Sequence, residues 1–275
     1  MFTDVSVDTS VKVIEEWISF SDDVKIYTRT WKAVSDKPTA TVLFIHGFGE
    51  YVKRYNHVFD KFGKKNIEVF AYDQRGFGRT AKQYNNHGDS GGWEIIKADI
   101  THALTSQRRN GIPQFLMGHS MGGGLTLRYA CEIDEKHNNV AGFICASPWL
   151  QLSPQSDPIS RKIGLFFLPT LSKFLPNNKT DASVDAKYIS RDPVQIKKYQ
   201  DDQMIIDSKY ATYKTHPVTS PEASKQFVQK TKASNVMFRE WKDRLHEMHN
   251  DYDNTEVIQS YIQWILEQVN SATEE

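Results

Sequence analysis

The chain reads as an α/β protein whose mostly parallel central sheet carries helices on both faces. Short continuous apolar runs recur at Thr41 to Ile45, Ile67 to Tyr72, Gln114 to Met117 and Val140 to Ala146. A helix-length stretch separates each run from the next, at Arg54 to Lys64, Trp93 to Arg108 and Met121 to Glu132. A strand covered on both faces has no solvent side to keep polar, so uninterrupted apolar strands alternating with helices mark a parallel sheet.

Ahead of that pattern, Glu15 to Phe20 and Val24 to Thr30 alternate in polarity around Ser21-Asp22-Asp23, which predicts an antiparallel hairpin. After Trp149 the alternation stops. Pro154, Pro158, Pro169, Pro176 and Pro193 punctuate a stretch with apolar patches at Ile163 to Leu168 and Leu171 to Leu175. Residues 150–212 therefore read as a cap inserted into one domain spanning 1–275. A last strand is predicted at Asn235 to Trp241. A last helix is predicted from Asn254 to Val269, where Val257, Ile258, Tyr261, Ile262, Ile265 and Val269 fall on one face.

Composition narrows the function. Lys plus Arg and Asp plus Glu number 34 each, so the formal charge is zero. With no basic field to condense on phosphates, nucleic acid is a poor partner. No apolar run reaches the length of a membrane span, about 18 residues. The first residues, Met1-Phe2-Thr3-Asp4-Val5, lack a basic region followed by an apolar stretch, and a cytoplasmic, reducing compartment is the default expectation. Cys131 and Cys145 lie in segments that read as helix and strand and are expected to be buried free thiols.

Chemistry concentrates in three motifs. Gly118-His119-Ser120-Met121-Gly122 stands between an apolar strand and a glycine-rich helix start. In G-x-S-x-G a sharp turn lifts the serine hydroxyl, and small flanking residues keep the turn free of clashes. Ser120 is the candidate nucleophile, and the Met121 N–H, in the first helical turn, is a candidate oxyanion donor. His46-Gly47-Phe48-Gly49-Glu50 ends another strand and offers the Phe48 N–H as second donor, with His46 as scaffold. A serine hydroxyl needs a neutral imidazole to take its proton. His246 in Leu245-His246-Glu247-Met248-His249 is the candidate base, with His249 as competitor.

Other readings of these residues are weaker. A Walker loop would need Gly-Lys-Ser/Thr, which is missing here. Gly76-Phe77-Gly78 resembles a dinucleotide fingerprint but follows a middle strand, so no cofactor is expected. The two late histidines stand three apart rather than the four of H-E-x-x-H, so no metal is expected either.

Together with Asp73-Gln74-Arg75-Gly76-Phe77-Gly78 and His246-Glu247-Met248-His249-Asn250, these motifs resemble the monoacylglycerol lipase and lysophospholipase branch of the α/β-hydrolase superfamily in its fungal form, a serine aminopeptidase-type hydrolase domain. The likeness runs from about Trp17 to Ile265. It implies an α/β-hydrolase fold, a cap, hydrolysis of a small lipid ester (monoacylglycerol to glycerol and fatty acid), and a cytosolic location with peripheral contact to membranes or lipid droplets.

One departure stands out. The family carries its catalytic acid at the end of an apolar strand, shortly before a segment such as Ser220-Pro221-Glu222-Ala223-Ser224. Here His216-Pro217 occupies that place and no apolar strand precedes it. The chain therefore reads as lacking one inner strand, and its triad acid is unknown. Asp207, Asp243, Glu247 and Asp251 are candidate substitutes. The same departure supports a second reading, an impaired or inactive relative, from splicing or a gene-model variant, that binds lipid or a partner without turnover.

Overall fold

The structure is a computed structural model that describes residues 11–133, 139–150, 186–205, 220–231, 233 and 235–274. The hairpin is present as β1 (Val13–Ser19) and β2 (Lys25–Trp31), paired antiparallel with Trp17 opposite Tyr27. Then β3 (Ala40–Ile45), β4 (Ile67–Tyr72), β5 (Gln114–His119) and β6 (Gly142–Ala146) follow, in a six-stranded sheet of order β1-β2-β4-β3-β5-β6. β3 pairs parallel with both β4 and β5, and β5 pairs parallel with β6. All residues of β3, β4 and β5 are buried.

Alternation along these strands divides the core. Val42, Phe44, Val69, Ala71, Phe115 and Met117 pack with Val58, Phe59 and Phe62 of helix α1 (Asn56–Lys64) on one face. Leu43, Ile45, Phe70, Tyr72 and Leu116 pack on the other with Ile100, Ala103 and Leu104 of α3 (Trp93–Ser106) and Tyr129 of α4 (Met121–Glu132). Successive strand residues point to opposite faces, so a continuous apolar run feeds both cores.

A short helix, α2 (Gly78–Tyr84), was not expected from the sequence. Its turn is built round Asp73, whose carboxylate accepts from the N–H groups of Val52 and Arg79 at 2.8 and 2.7 Å. A Cβ on Gly78 would overlap that carboxylate. The glycines at 76 and 78 thus close a turn round an internal side chain, which accounts for the fingerprint-like spacing.

Beyond β6 come α5 (Pro193–Asp201), capped by Asp192, then α6 (Pro221–Lys230), capped by Ser220, and α7 (Asn254–Glu274). Ile258, Ile262 and Ile265 of α7 return to the sheet, and Trp264 lies edge-on to Phe115. Of the expected cap, residue 150 and residues 186–205 are described. The patches from Ile163 to Leu175 lie outside the described residues.

Two expectations are corrected. Asn235 to Trp241 forms no strand, and Val236, Met237 and Phe238 stand exposed. A β-pattern persists only where a neighbour accepts its hydrogen bonds, and among the described residues the sheet ends at β6. Cys131 is exposed rather than buried, because α4 turns Thr126 and Tyr129 inward and leaves 131 toward solvent. Cys145 is half-buried, and both thiols are free.

The start of α4 crosses β3 closely enough that a Cβ on Gly122 would overlap the Ile45 carbonyl. Gly122→Ala is expected to lower stability by about 3 kcal/mol through this overpacking. Urea unfolding checks it, and an unchanged midpoint would mean that the two backbones do not approach this closely.

Candidate active site

Ser120 follows β5 and caps the start of α4 with φ 55° and ψ −117°. A non-glycine residue at positive φ is strained and persists only when its surroundings hold it. Here its N–H donates to the Ala146 carbonyl at 3.0 Å, and its own carbonyl accepts from Gly124 and Trp149 at 3.0 and 2.9 Å. The strain aims the side chain out of the sheet end. Gly47 lies against it, since a Cβ there would stand 3.2 Å from the Ser120 Cβ. The loop that carries Phe48 is thus beside the serine. Met121 is the first residue of α4, where main-chain N–H groups have no partner within the helix.

His246 reaches the serine. Its Nε2 lies 2.8 Å from Ser120 Oγ. The residue is fixed through its main chain: its N–H donates to the Tyr188 carbonyl at 3.2 Å, and its carbonyl accepts from Ser147 Oγ at 3.0 Å and faces His119 Nε2 at 3.4 Å. His249 does not point to Ser120. It stacks on Tyr55 with centroids 5.1 Å apart and meets His119 edge-on, while its carbonyl accepts from His57. His46 is buried, and its Nε2 accepts the Gln74 N–H at 3.0 Å.

The other ring nitrogen of His246 decides the chemistry. Nδ1 is buried and has no hydrogen-bond partner among the described residues. Glu247 is committed to Arg54 through two bonds of 2.8 and 2.9 Å, and Asp251 to Arg191 at 2.7 Å. Asp243 is exposed, at a positive-φ turn, and Asp207 lies outside the described residues. With no carboxylate on the ring among the described residues, burial and the charge of His119 push the His246 imidazole down to about 3, only Glu50 opposing. It is therefore neutral at pH 7, available as an acceptor but weakly basic.

Behind this pair lies a buried charge network that motif reading missed. Arg54 bridges Glu50 at 2.8 Å and Glu247, and Asn250 donates to Glu247 at 2.6 Å. Glu50 also accepts from the Gly47 N–H at 3.0 Å and from the Tyr55 hydroxyl, which sits 3.0 Å from His119 Nδ1. Burial opposes charge on Glu50, but Arg54 and His119 outweigh it and hold the carboxyl well below the usual range. Burial likewise opposes charge on His119, yet the Glu50 carboxylate raises its pKa. One network thus ties the Phe48 loop to the turn that carries His246. The only sequence signal for it was Glu50 and Arg54, four apart, a spacing that brings helical charges together.

Three comparisons bear on this geometry. The model of the family described as serine aminopeptidase, S33, matches residues 36–215. The chain belongs to that family. Within the α/β-hydrolase superfamily this S33 member is similar to the putative monoglyceride lipase of Schizosaccharomyces pombe, 39% identical over 183 residues, covering 66% of this chain and 47% of that protein. It is also similar to the monoglyceride lipase of Saccharomyces cerevisiae, 37% identical over 155 residues, 55% of this chain and 48% of the relative. The matches span about half the length of these curated relatives. The crystal structure of a soluble variant of the Saccharomyces cerevisiae monoglyceride lipase, in complex with a substrate analog, superposes with TM-score 0.72 at 23% identity, covering 94% of this chain and 96% of that one, a likeness of fold. No helix among the described residues is long and apolar enough to cross a membrane.

Buried histidines make the fold acid-sensitive. Burial lowers His46 to about 4 and His246 to about 3, and pushes His249 well below its ordinary value. Below the unfolded value of about 6.5 the unfolded chain binds these protons and the native state does not, so each residue removes about 1.4 kcal/mol per pH unit until its folded pKa is reached. His119, raised, takes up its native-state proton above the unfolded value and adds no slope below it, whereas Asp73, pushed up to about 6 by burial, opposes one of these losses below that pH. The urea midpoint is expected to fall between about pH 7 and pH 5, above the range where ordinary carboxylates titrate. Equal midpoints would contradict the burial of these rings in neutral form.

Proposed function

We propose that this chain is a serine hydrolase of lipid carboxylic esters, acting on monoacylglycerol to release glycerol and fatty acid, with Ser120 as nucleophile and His246 as base. The observation that carries the proposal is the 2.8 Å approach of His246 Nε2 to a serine hydroxyl held at positive φ. The S33 family and the monoglyceride lipase relatives support the reaction class. In this reading residues 150–212 form a cap over the acyl chain, and the protein is cytosolic, meeting its substrate at a membrane or droplet surface.

In the reaction, Oγ attacks the ester carbonyl as its proton passes to Nε2. The developing oxyanion is met by the N–H groups of Phe48 and Met121, fixed dipoles that need no reorganisation. The Nε2 proton then goes to the leaving glycerol oxygen, and water repeats the sequence on the acyl-enzyme. The missing step in this scheme is support for the imidazolium. In a model serine protease, disabling the acid lowers turnover about 10⁴-fold, and a loss of that order is expected here.

The orphaned Nδ1 favours one alternative, a lipid-binding protein with a formed but idle nucleophile. Two measurements separate them. A fluorophosphonate probe is expected to label the wild type slowly, and Ser120→Ala not at all. Monoolein is expected to turn over about 10⁴-fold below a lipase with a complete triad, and His246→Ala to remove that remainder. If wild type and Ser120→Ala label alike, the hydrolase reading fails. Labelling without any monoolein turnover would leave the binding protein.

A further inference from the structure

An open cleft of about 940 Å³ lies between the N-terminal half of α1, with the single helical turn Val52–Tyr55 before it, and α5. Ser120, His246, Phe48 and Met121 are not among the residues that line it. Its volume is within the range of small-molecule sites, roughly 300–1,000 Å³.

The charges in its lining do not balance. Asp201 is held by Lys197 at 2.7 Å, and Asp202 accepts from the Tyr51 hydroxyl at 2.7 Å and the Met204 N–H at 2.9 Å. The Lys197–Asp201 pair is neutral, while Asp202, bonded to neutral donors, keeps one negative charge against the cations of the lining. Lys53 on one wall and Lys198 on the other have no carboxylate partner among the described residues. Burial lowers the pKa of His57, also in the lining, and the nearby cations Lys61, Lys198 and Arg54 lower it further, a second sign of positive potential there.

The remaining surface is apolar in character. The Arg54 guanidinium lies over the Tyr199 ring, 5.1 Å from its centroid, so that ring and stacked cation form part of the wall. Val194 is 58% exposed at the mouth. An aliphatic side chain left open beside two unpaired ammonium groups calls for a ligand with both characters. A bare anion would leave the apolar wall wet, and a neutral lipid would leave the lysines unmatched.

We propose that this cleft is a second ligand site, separate from Ser120, that takes a single-chain anionic amphiphile with a carboxylate or phosphate head. The head sits between Lys53 and Lys198, and the chain lies along Tyr51, Tyr199 and Val194. The site does not depend on whether Ser120 turns over.

Calorimetric titration of the full chain with octyl phosphate, octanoate, octanol and inorganic phosphate tests it. One or both anionic amphiphiles are expected to bind, and whichever does so names the head. Octanol and inorganic phosphate are each expected to bind about tenfold more weakly or worse. The double variant Lys53→Glu with Lys198→Glu is expected to lose about tenfold or more in affinity for the amphiphile at an unchanged melting temperature. Lys53→Ala with Lys198→Ala should show a smaller loss in the same direction. Binding of an acyl chain near Ser120 would be insensitive to these lysines. The proposal is overturned if neither amphiphile binds, if the double variants bind like wild type, or if octanol or inorganic phosphate alone matches the amphiphiles.

Discussion

The strained backbone at Ser120 depends on a close approach between three main-chain segments. A Cβ on Gly118 would collide with the Gly122 carbonyl, and one on Gly122 with the carbonyls of Ile45 and His46. Only hydrogen at these positions lets β5, α4 and the end of β3 meet at one point. That meeting place delivers the hydroxyl, the first N–H groups of α4 and the Phe48 loop to the same side of the sheet. The cost of a residue at positive φ, of order 1–3 kcal/mol, is offset by the hydrogen bonds that fix its peptide groups and by the two apolar cores packed on the sheet.

The turn that carries His246 lacks such support from the sheet. In an α/β-hydrolase a strand leads into this turn, whereas here residues 235–240 are exposed and residues 235–241 pair with no strand among the described residues. Its anchorage comes instead from polar contacts: Glu247 on Arg54, the main chain of 246 and 247 on Tyr188 and Ile189, and Ser147 on the His246 carbonyl. Removing one partner from a buried charged pair leaves the other uncompensated, which is destabilising by about 3–5 kcal/mol. His246 is thus held in place by its neighbours' charges, while among the described residues its Nδ1 has no partner.

Much of this architecture was legible in the sequence because local pattern and tertiary role coincide. The strands from Thr41, Ile67 and Gln114 are buried on both faces, and their unbroken apolar runs announce that directly. The helix after Ser120 and the hairpin around Ser21-Asp22-Asp23 were readable for similar reasons. What failed was non-local. The run Asn235 to Trp241 has a strand's composition, but pairing is a property of its neighbour, and composition does not say whether one stands beside it. The choice of His246 over His249 also rests on the orientation of a turn, since both residues share one short motif. The Glu50–Arg54–Glu247 network joins residues almost 200 positions apart, and only its local half leaves a spacing signal.

Among the described residues, Ser120 faces a neutral imidazole whose second nitrogen has no carboxylate partner. Titrating His246 by nitrogen-15 and proton NMR, assigned through its loss in His246→Asn, measures that most directly. The account predicts a neutral ring throughout the range above about pH 5, in keeping with a pKa near 3, and no strongly deshielded Hδ1 resonance. A pKa near that of a free histidine or higher, with a far-downfield Hδ1 signal, would reveal an acid on Nδ1 and contradict it.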